Sequence, residues 1–125
     1  MSGGRRLADW LRQQEQVHGL AIDLGLDRVR EVAQRLGLLP PAARCIIVAG
    51  TNGKGSTVAC LDALLRAHDQ SVGSFTSPHL LRYNERVLVN GEEAGDSELV
   101  AAFEAIDAAR GDITLTFFEY NALAA

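Results

Sequence analysis

Between Val48 and Thr57 the sequence reads VAGTNGKGST, with Gly50, Gly53 and Gly55 set around Lys54. Residues of this kind can hold phosphate. The N–H groups of a glycine loop and of a helix start converge on one anion, and the helix dipole favours negative charge there. Glycine lets the backbone come close because no Cβ stands in the way. The lysine adds a point charge for the β and γ phosphates. A tight turn that happens to contain lysine is the plain alternative. A strand before the loop and a helix after it are the context a phosphate loop needs, and both are predicted here. A dinucleotide fingerprint fits less well, because G-x-G-x-x-G is absent.

The loop departs from the common pattern G-x-x-x-x-G-K-[ST] at two places. That pattern needs glycine where Val48 stands and a hydroxyl residue where Gly55 stands. The missing hydroxyl is the one that ordinarily binds magnesium. Ser56 follows one residue later, turned by about 100° on a helix, so its hydroxyl does not point to the same place. Magnesium requires oxygen ligands, and in parallel sheets ligands collect beyond the carboxyl ends of the strands. The next predicted strand ends at Phe75 and is followed by Thr76-Ser77-Pro78-His79. Ser77 is thus at the right edge to replace the hydroxyl. Alone it would be an ordinary strand-end turn before proline; together with the Gly55 gap it is the preferred metal ligand.

The elements that must position these residues follow from periodicity. Leu7, Trp10, Leu11 and Val17 share a helical face, which predicts a helix over Leu7 to Val17. Ile22 to Leu26 is a short apolar link. A second helix is expected from Asp27 to Leu36, with Val29, Ala33 and Leu36 inward and Arg28, Arg30, Glu31 and Arg35 outward. Gly37 and Pro40-Pro41 end it. Arg44 to Ala49 is a β-branched apolar run, predicted as a buried strand of a parallel sheet. A helix from Lys54 to His68 packs through Val58, Leu61, Leu64 and Leu65. Ser71 to Phe75 is a second strand, completing a βαβ unit. Arg86 to Val89 followed by Asn90-Gly91 predicts a hairpin arm and its turn. Asp96 is the expected N-cap of a helix from Ser97 to Arg110, with Gly111 after it. Thr116 and Glu119 have capping-box spacing before Tyr120 to Ala125. That helix runs only about two turns, and a parallel sheet needs both faces covered, so the sequence is expected to be the N-terminal piece of a larger protein.

The 125 residues are the size of one ordinary domain, and 47% hydrophobic residues suffice for a core. A net charge of −4 argues against a nucleic-acid binder. No apolar run follows Arg5 and Arg6, so no signal peptide is expected, and no run is long enough to span a bilayer. A cytoplasmic protein with no membrane partner is expected. Cys45 and Cys60 form no disulfide framework and are expected as buried free thiols.

The order VAGTNGKGST, TSPHLLRYNERV, LTFFEYNALA resembles the folylpolyglutamate synthase and dihydrofolate synthase family, a branch of the Mur-type ATP-dependent amide ligases. The resemblance covers nearly the whole chain and includes IDLGLDRV. GTNGKGS alone would indicate only the superfamily; SPHLLRYNERV and TFFEY narrow it to the folate branch. It implies an α/β fold, a P-loop-type parallel sheet with flanking helices, of which residues 1–125 are the N-terminal portion of the ATP-binding domain. It implies MgATP at Asn52, Gly53, Lys54, Gly55 and Ser56, with Lys54 catalytic and Ser77 a magnesium ligand. It implies that the pteroate moiety is held by Asp23, Leu24, Gly25 and Leu26 and by Thr116, Phe117, Phe118 and Glu119. The residues alone would read as a link before a helix and as core.

The implied reaction phosphorylates a folate or dihydropteroate carboxylate with ATP. The amine of L-glutamate then attacks the acyl phosphate, giving an amide, ADP and phosphate. A monomer when full length is expected. The family's other magnesium ligands, its modified lysine and its C-terminal domain have no counterpart in these 125 residues, which alone are not expected to complete the reaction. Two other functions stay open: a Mur-type ligase on a different carboxylate, and a non-catalytic nucleotide-binding module.

Overall fold

The computed structural model describes residues 4–17 and 25–125. The helices are α1 Leu7–Val17, α2 Asp27–Arg35, α3 Lys54–Ala67, α4 Asp96–Arg110 and α5 Phe117–Ala124; the strands are β1 Gly73–Phe75, β2 Val87–Val89 and β3 Glu92–Glu93, with a 3-10 turn at Tyr83–Arg86. The chain divides into two compact units, one from the segments up to Ala43 and from Asp96 to Ala124, the other from Arg44 to Gly95. Among the described residues no helix is long and apolar enough to cross a membrane.

The first unit is helical. Leu7, Trp10 and Gln14 on α1 recur at helical spacing and are buried, as are Leu99, Phe103 and Ile106 on α4. Trp10 and Phe103 meet with ring centroids 6.2 Å apart at a 35° tilt. Val32 and Ala33 of α2, Leu115, and Tyr120 and Asn121 of α5 complete the core. Fully burying a side chain such as Phe103 contributes roughly 1.5–3 kcal/mol. The inward face of α2 is centred on Val32 and Ala33, whereas Val29 and Leu36 are half-buried. The α2 end closes as expected at Gly37 (φ 71°): its N–H bonds Gln34 O at 3.0 Å and the Leu38 N–H bonds Ala33 O at 2.9 Å. Arg35 Nη1 donates to the last carbonyls of α4, Ala109 and Arg110, at 3.1 and 3.2 Å.

The second unit holds α3 and a three-stranded antiparallel sheet in the order β1-β2-β3. Phe75 pairs with Val87 and Gly73 with Val89, while Val89 also pairs with Glu92. Asn90 (φ 51°) and Gly91 (φ 84°) make the tight turn between β2 and β3. Asn90 Oδ1 accepts from Val72 N at 2.8 Å and from the Ser71 hydroxyl at 3.3 Å. The Arg66 guanidinium lies over Gly91, where an added Cβ would stand 2.7 Å from Arg66 Cζ. Arg66 is held by buried Asp62 at 2.8 Å. The C-terminus of α3 closes with Asp69 at φ 56°, its N–H bonding Arg66 O at 3.0 Å and the Gln70 N–H bonding Leu65 O at 3.0 Å.

Three expectations are corrected here. The run Arg44 to Ala49 forms no strand, and the expected parallel pair is absent among the described residues. A strand is held by ladder partners, and among the described residues the only partner of β1 is the antiparallel arm β2. Ile46 and Ile47 are consequently exposed, Ile47 to 90%. Cys45 and Cys60 are exposed rather than buried, the first within that run and the second on the outer side of α3. Leu64 is also exposed, because α3 packs through Val58, Leu61, Asp62 and Leu65 alone.

Candidate nucleotide and substrate site

Gly53 is the N-cap of α3 in the left-handed region (φ 74°), with no side-chain cap. The first turn therefore leaves the N–H groups of Lys54, Gly55 and Ser56 without an intrahelical acceptor. The first ladder bond runs from Thr57 N to Gly53 O at 3.0 Å. Thr57 Oγ1 donates to the same carbonyl at 2.9 Å, which stiffens the turn. The sequence signal for Thr57 is a hydroxyl four residues after the capping glycine. Lys54 folds back so that Nζ donates to Gly50 O at 2.5 Å, drawing its charge over the loop. Asn52, Gly53, Lys54, Gly55 and Ser56 are all exposed, and nothing lies within 4 Å of where a Cβ on Gly53 or Gly55 would stand. The loop is open to an anion.

Ser77 is exposed just after β1, with its hydroxyl unpartnered among the described residues. Its level relative to the loop follows from chain geometry. The 14 residues of α3 climb about 21 Å. A short turn reverses the chain, and β1 packs on α3. The stretch from residue 70 to 77, with β1 at its centre, returns by at most about 23 Å. The start of α3 and the end of β1 thus lie at the same end of the unit.

The segment after Ser77 is tightly held. The Glu85 carboxylate accepts N–H bonds from Arg82 at 2.6 Å, Leu81 at 2.7 Å and Leu80 at 3.2 Å. The Arg82 bond first, then the other two, hold its carboxyl below its usual range. His79 Nδ1 accepts from Arg86 Nε at 2.8 Å, and its ring meets Tyr83 edge-on at 6.0 Å. Burial pushes the Tyr83 hydroxyl up to about 12. Leu80 and Leu81 are about nine-tenths exposed on this braced loop. Glu85 and His79 were missed in the sequence, since their roles need the turn to be formed.

The residues expected to hold a pteroate moiety lie in the helical unit. Asp23 and Leu24 lie outside the described residues. Gly25 and Leu26 precede α2 and are exposed; Leu26 O accepts from Arg30 N at 2.9 Å. Thr116 and Glu119 form the expected capping box: Glu119 N donates to Thr116 Oγ1 at 3.2 Å, and Thr116 N to Glu119 Oε2 at 3.4 Å. Both are buried, Phe117 is half-buried and Phe118 is 55% exposed. Arg28, expected to point outward, instead donates to Glu119 Oε1 and to Thr114 O. It thereby joins the start of α2, where Gly25 and Leu26 lie, to the start of α5. No local signal in the sequence marks that contact across 91 positions.

Among the described residues no three His, Cys, Asp or Glu side chains gather as a metal-holding group. Magnesium keeps several waters and takes further oxygens from phosphates, so a single hydroxyl can be one member of its shell. The exposed, unpartnered Ser77 fits that limited part.

No family model matches the chain. It is 53% identical over 119 residues to the dihydrofolate synthase/folylpolyglutamate synthase of Escherichia coli, covering 95% of this chain and 28% of that protein. The solved structure of E. coli FolC in complex with DHPP and ADP matches with a TM-score of 0.94 and 52% identity, over 97% of this chain and 29% of that one. The bifunctional folylpolyglutamate synthase/dihydrofolate synthase of Yersinia pestis, complexed with AMPPNP and Mn ion, matches with a TM-score of 0.91 and 50% identity, over 97% of this chain and 30% of that one. The chain spans less than a third of the length of each.

Proposed function

We propose, from the premise that this chain is homologous to the dihydrofolate synthase/folylpolyglutamate synthases, that residues 1–125 are the N-terminal portion of the ATP-binding domain of such a ligase. The whole enzyme joins L-glutamate to a carboxylate of folate or dihydropteroate. ATP transfers its γ-phosphoryl group to that carboxylate, releasing ADP; the glutamate amine then attacks the acyl phosphate and phosphate leaves. The enzyme works in the cytoplasm as a monomer on small-molecule substrates, with no nucleic-acid or membrane partner.

The observation that carries this reading is the open start of α3. Three unpaired N–H groups, the helix dipole and Lys54 converge where phosphate charge must be held. Lys54 releases Gly50 O and turns its ammonium to the β and γ oxygens, offsetting charge as the phosphoryl group transfers. Asn52, Gly53, Gly55 and Ser56 shape the cradle. Ser77 would hold magnesium, which neutralises phosphate charge when bound. Gly25 and Leu26 are assigned to the pteroate moiety, as are Asp23 and Leu24 from the sequence alone, and Phe118 offers an exposed aromatic face to a flat pterin. Thr116, Phe117 and Glu119 form the floor that sets Phe118, with the Glu119 carboxylate engaged by Arg28.

The test is glutamate-dependent ADP release by an intact ligase carrying these residues, with dihydropteroate, folates and UDP-linked cell-wall precursors offered in parallel. Release with a pteroate substrate is expected. Release with UDP-linked precursors alone would move the enzyme to another Mur-type branch. Nucleotide binding without release would leave only a nucleotide-binding module.

A further inference from the structure

We propose that Asn52 is a site of spontaneous deamidation, and that nucleotide bound at the loop suppresses it. The sequence contains two Asn-Gly pairs, Asn52-Gly53 and Asn90-Gly91, and the structure treats them differently. Asn90 is clamped: its Oδ1 accepts two hydrogen bonds, and its N–H bonds Val72 O at 2.7 Å. Asn52 is exposed, and its side chain has no partner among the described residues. The Gly53 nitrogen beside it has no acceptor either, and the space where a Cβ would stand on Gly53 is empty. Glycine lowers the steric barrier to approach of that nitrogen.

The chemistry needs only water. The Gly53 nitrogen attacks Asn52 Cγ; a C–N bond forms, the Cγ–Nδ2 bond breaks, and ammonia leaves with the amide proton. Water opens the cyclic imide at either carbonyl, giving aspartate or isoaspartate at position 52. Either product puts a carboxylate into a loop built for anions, and isoaspartate also lengthens the backbone by one carbon. Phosphate binding is then opposed by a like charge. A phosphate seated in the loop engages its free amides and holds Gly53 away from attack, so an occupied site is protected and an empty one ages. The lability rests on the loop geometry; the protection rests on the nucleotide reading.

The experiment incubates the intact ligase that carries these residues at mildly alkaline pH, with and without MgADP, and maps both asparagines by peptide mass spectrometry. Asn52 is expected to convert at least about tenfold faster than Asn90, and MgADP to slow Asn52 alone. Equal conversion at both positions, or conversion at Asn90 first, overturns the inference. Rapid loss at Asn52 that MgADP leaves unchanged overturns the protection and counts against the nucleotide reading, while the labile site stands. Asn52→Asp serves as the end product: about tenfold weaker ADP binding is expected, and wild-type binding would remove the functional consequence.

Discussion

Arg28 Nη2 lies 2.6 Å from Glu119 Oε1, tying the first turn of α2 to the first turn of α5. Glu119 is 9% exposed at its side chain and Arg28 25%, so the pair is partly shielded from water. Losing Arg28 leaves a buried carboxylate with only the weak Thr116 N–H as partner. Arg28→Met is expected to lower stability by about 2 kcal/mol, below the cost for a fully buried pair because Arg28 is partly solvated. Urea unfolding followed by circular dichroism checks this; an unshifted midpoint would mean that water replaces the guanidinium.

Gln14 carries the opposite prediction. It is 1% exposed on the α1 face that also holds Leu7 and Trp10, and neither end of its amide has a hydrogen-bond partner among the described residues. Burying such a group costs about 1–3 kcal/mol. Gln14→Leu is expected to raise the thermal midpoint, since the volumes are close and the amide's desolvation is removed. A lower midpoint would show that an ordered water satisfies the amide.

The two cases mark how far the sequence is legible. Helix spans, the hairpin turn at Asn90-Gly91 and the Thr116–Glu119 capping box were all readable, because each rests on residues within a few positions of one another. The glycine turn that opens α3 at Lys54 was readable for the same reason. Gln14 and Arg28 were not: one looks like a surface residue, and the other bonds a residue 91 positions away. The run Arg44 to Ala49 misleads in the other direction. Its apolar pattern predicts burial as a strand, but a strand needs ladder partners, and the run joins no sheet among the described residues.

Lys54→Ala is expected to weaken nucleotide binding by at least about tenfold, through loss of one charge-assisted contact. Folding should persist, because Lys54 is exposed and bonds only Gly50 O. Isothermal titration with MgADP reads the affinity, and in the intact ligase ADP release should cease. Wild-type affinity and turnover would take Lys54 out of the mechanism.

Ser77→Ala is expected to shift the magnesium dependence of turnover in the intact ligase to higher concentration. Ser77→Thr keeps the hydroxyl and should restore most of it. An unchanged magnesium titration for the alanine variant would return Ser77 to an ordinary turn residue.

Glu85 predicts a pH response local to the segment after Ser77. The ionised carboxylate is the form that accepts the Arg82, Leu81 and Leu80 N–H bonds, so its folded pKa lies below the ordinary 4.5. The stabilisation is present above 4.5 and is lost as pH falls through the lower folded value. The Leu80, Leu81 and Arg82 amide signals should move together in an acid NMR titration, and Glu85→Gln should abolish the shared transition. Signals that titrate separately would mean that the carboxylate does not brace the loop.

The guanidinium of Arg66 over Gly91 makes α3 a lever pinned at one end. Asp62 and Arg66 sit in its last turns, while the phosphate loop opens its first. The arm from Arg66 to Lys54 is about 18 Å long, so each degree of tilt at the hairpin moves the loop amides by about 0.3 Å. Catalytic geometry tolerates displacements of only about 0.5 Å. A side chain on Gly91 must displace Arg66 and adopt a left-handed backbone, and a tilt of about two degrees would use up that tolerance. The aim of the amides at Lys54 is thus a mechanical property of a turn at the far end of the helix.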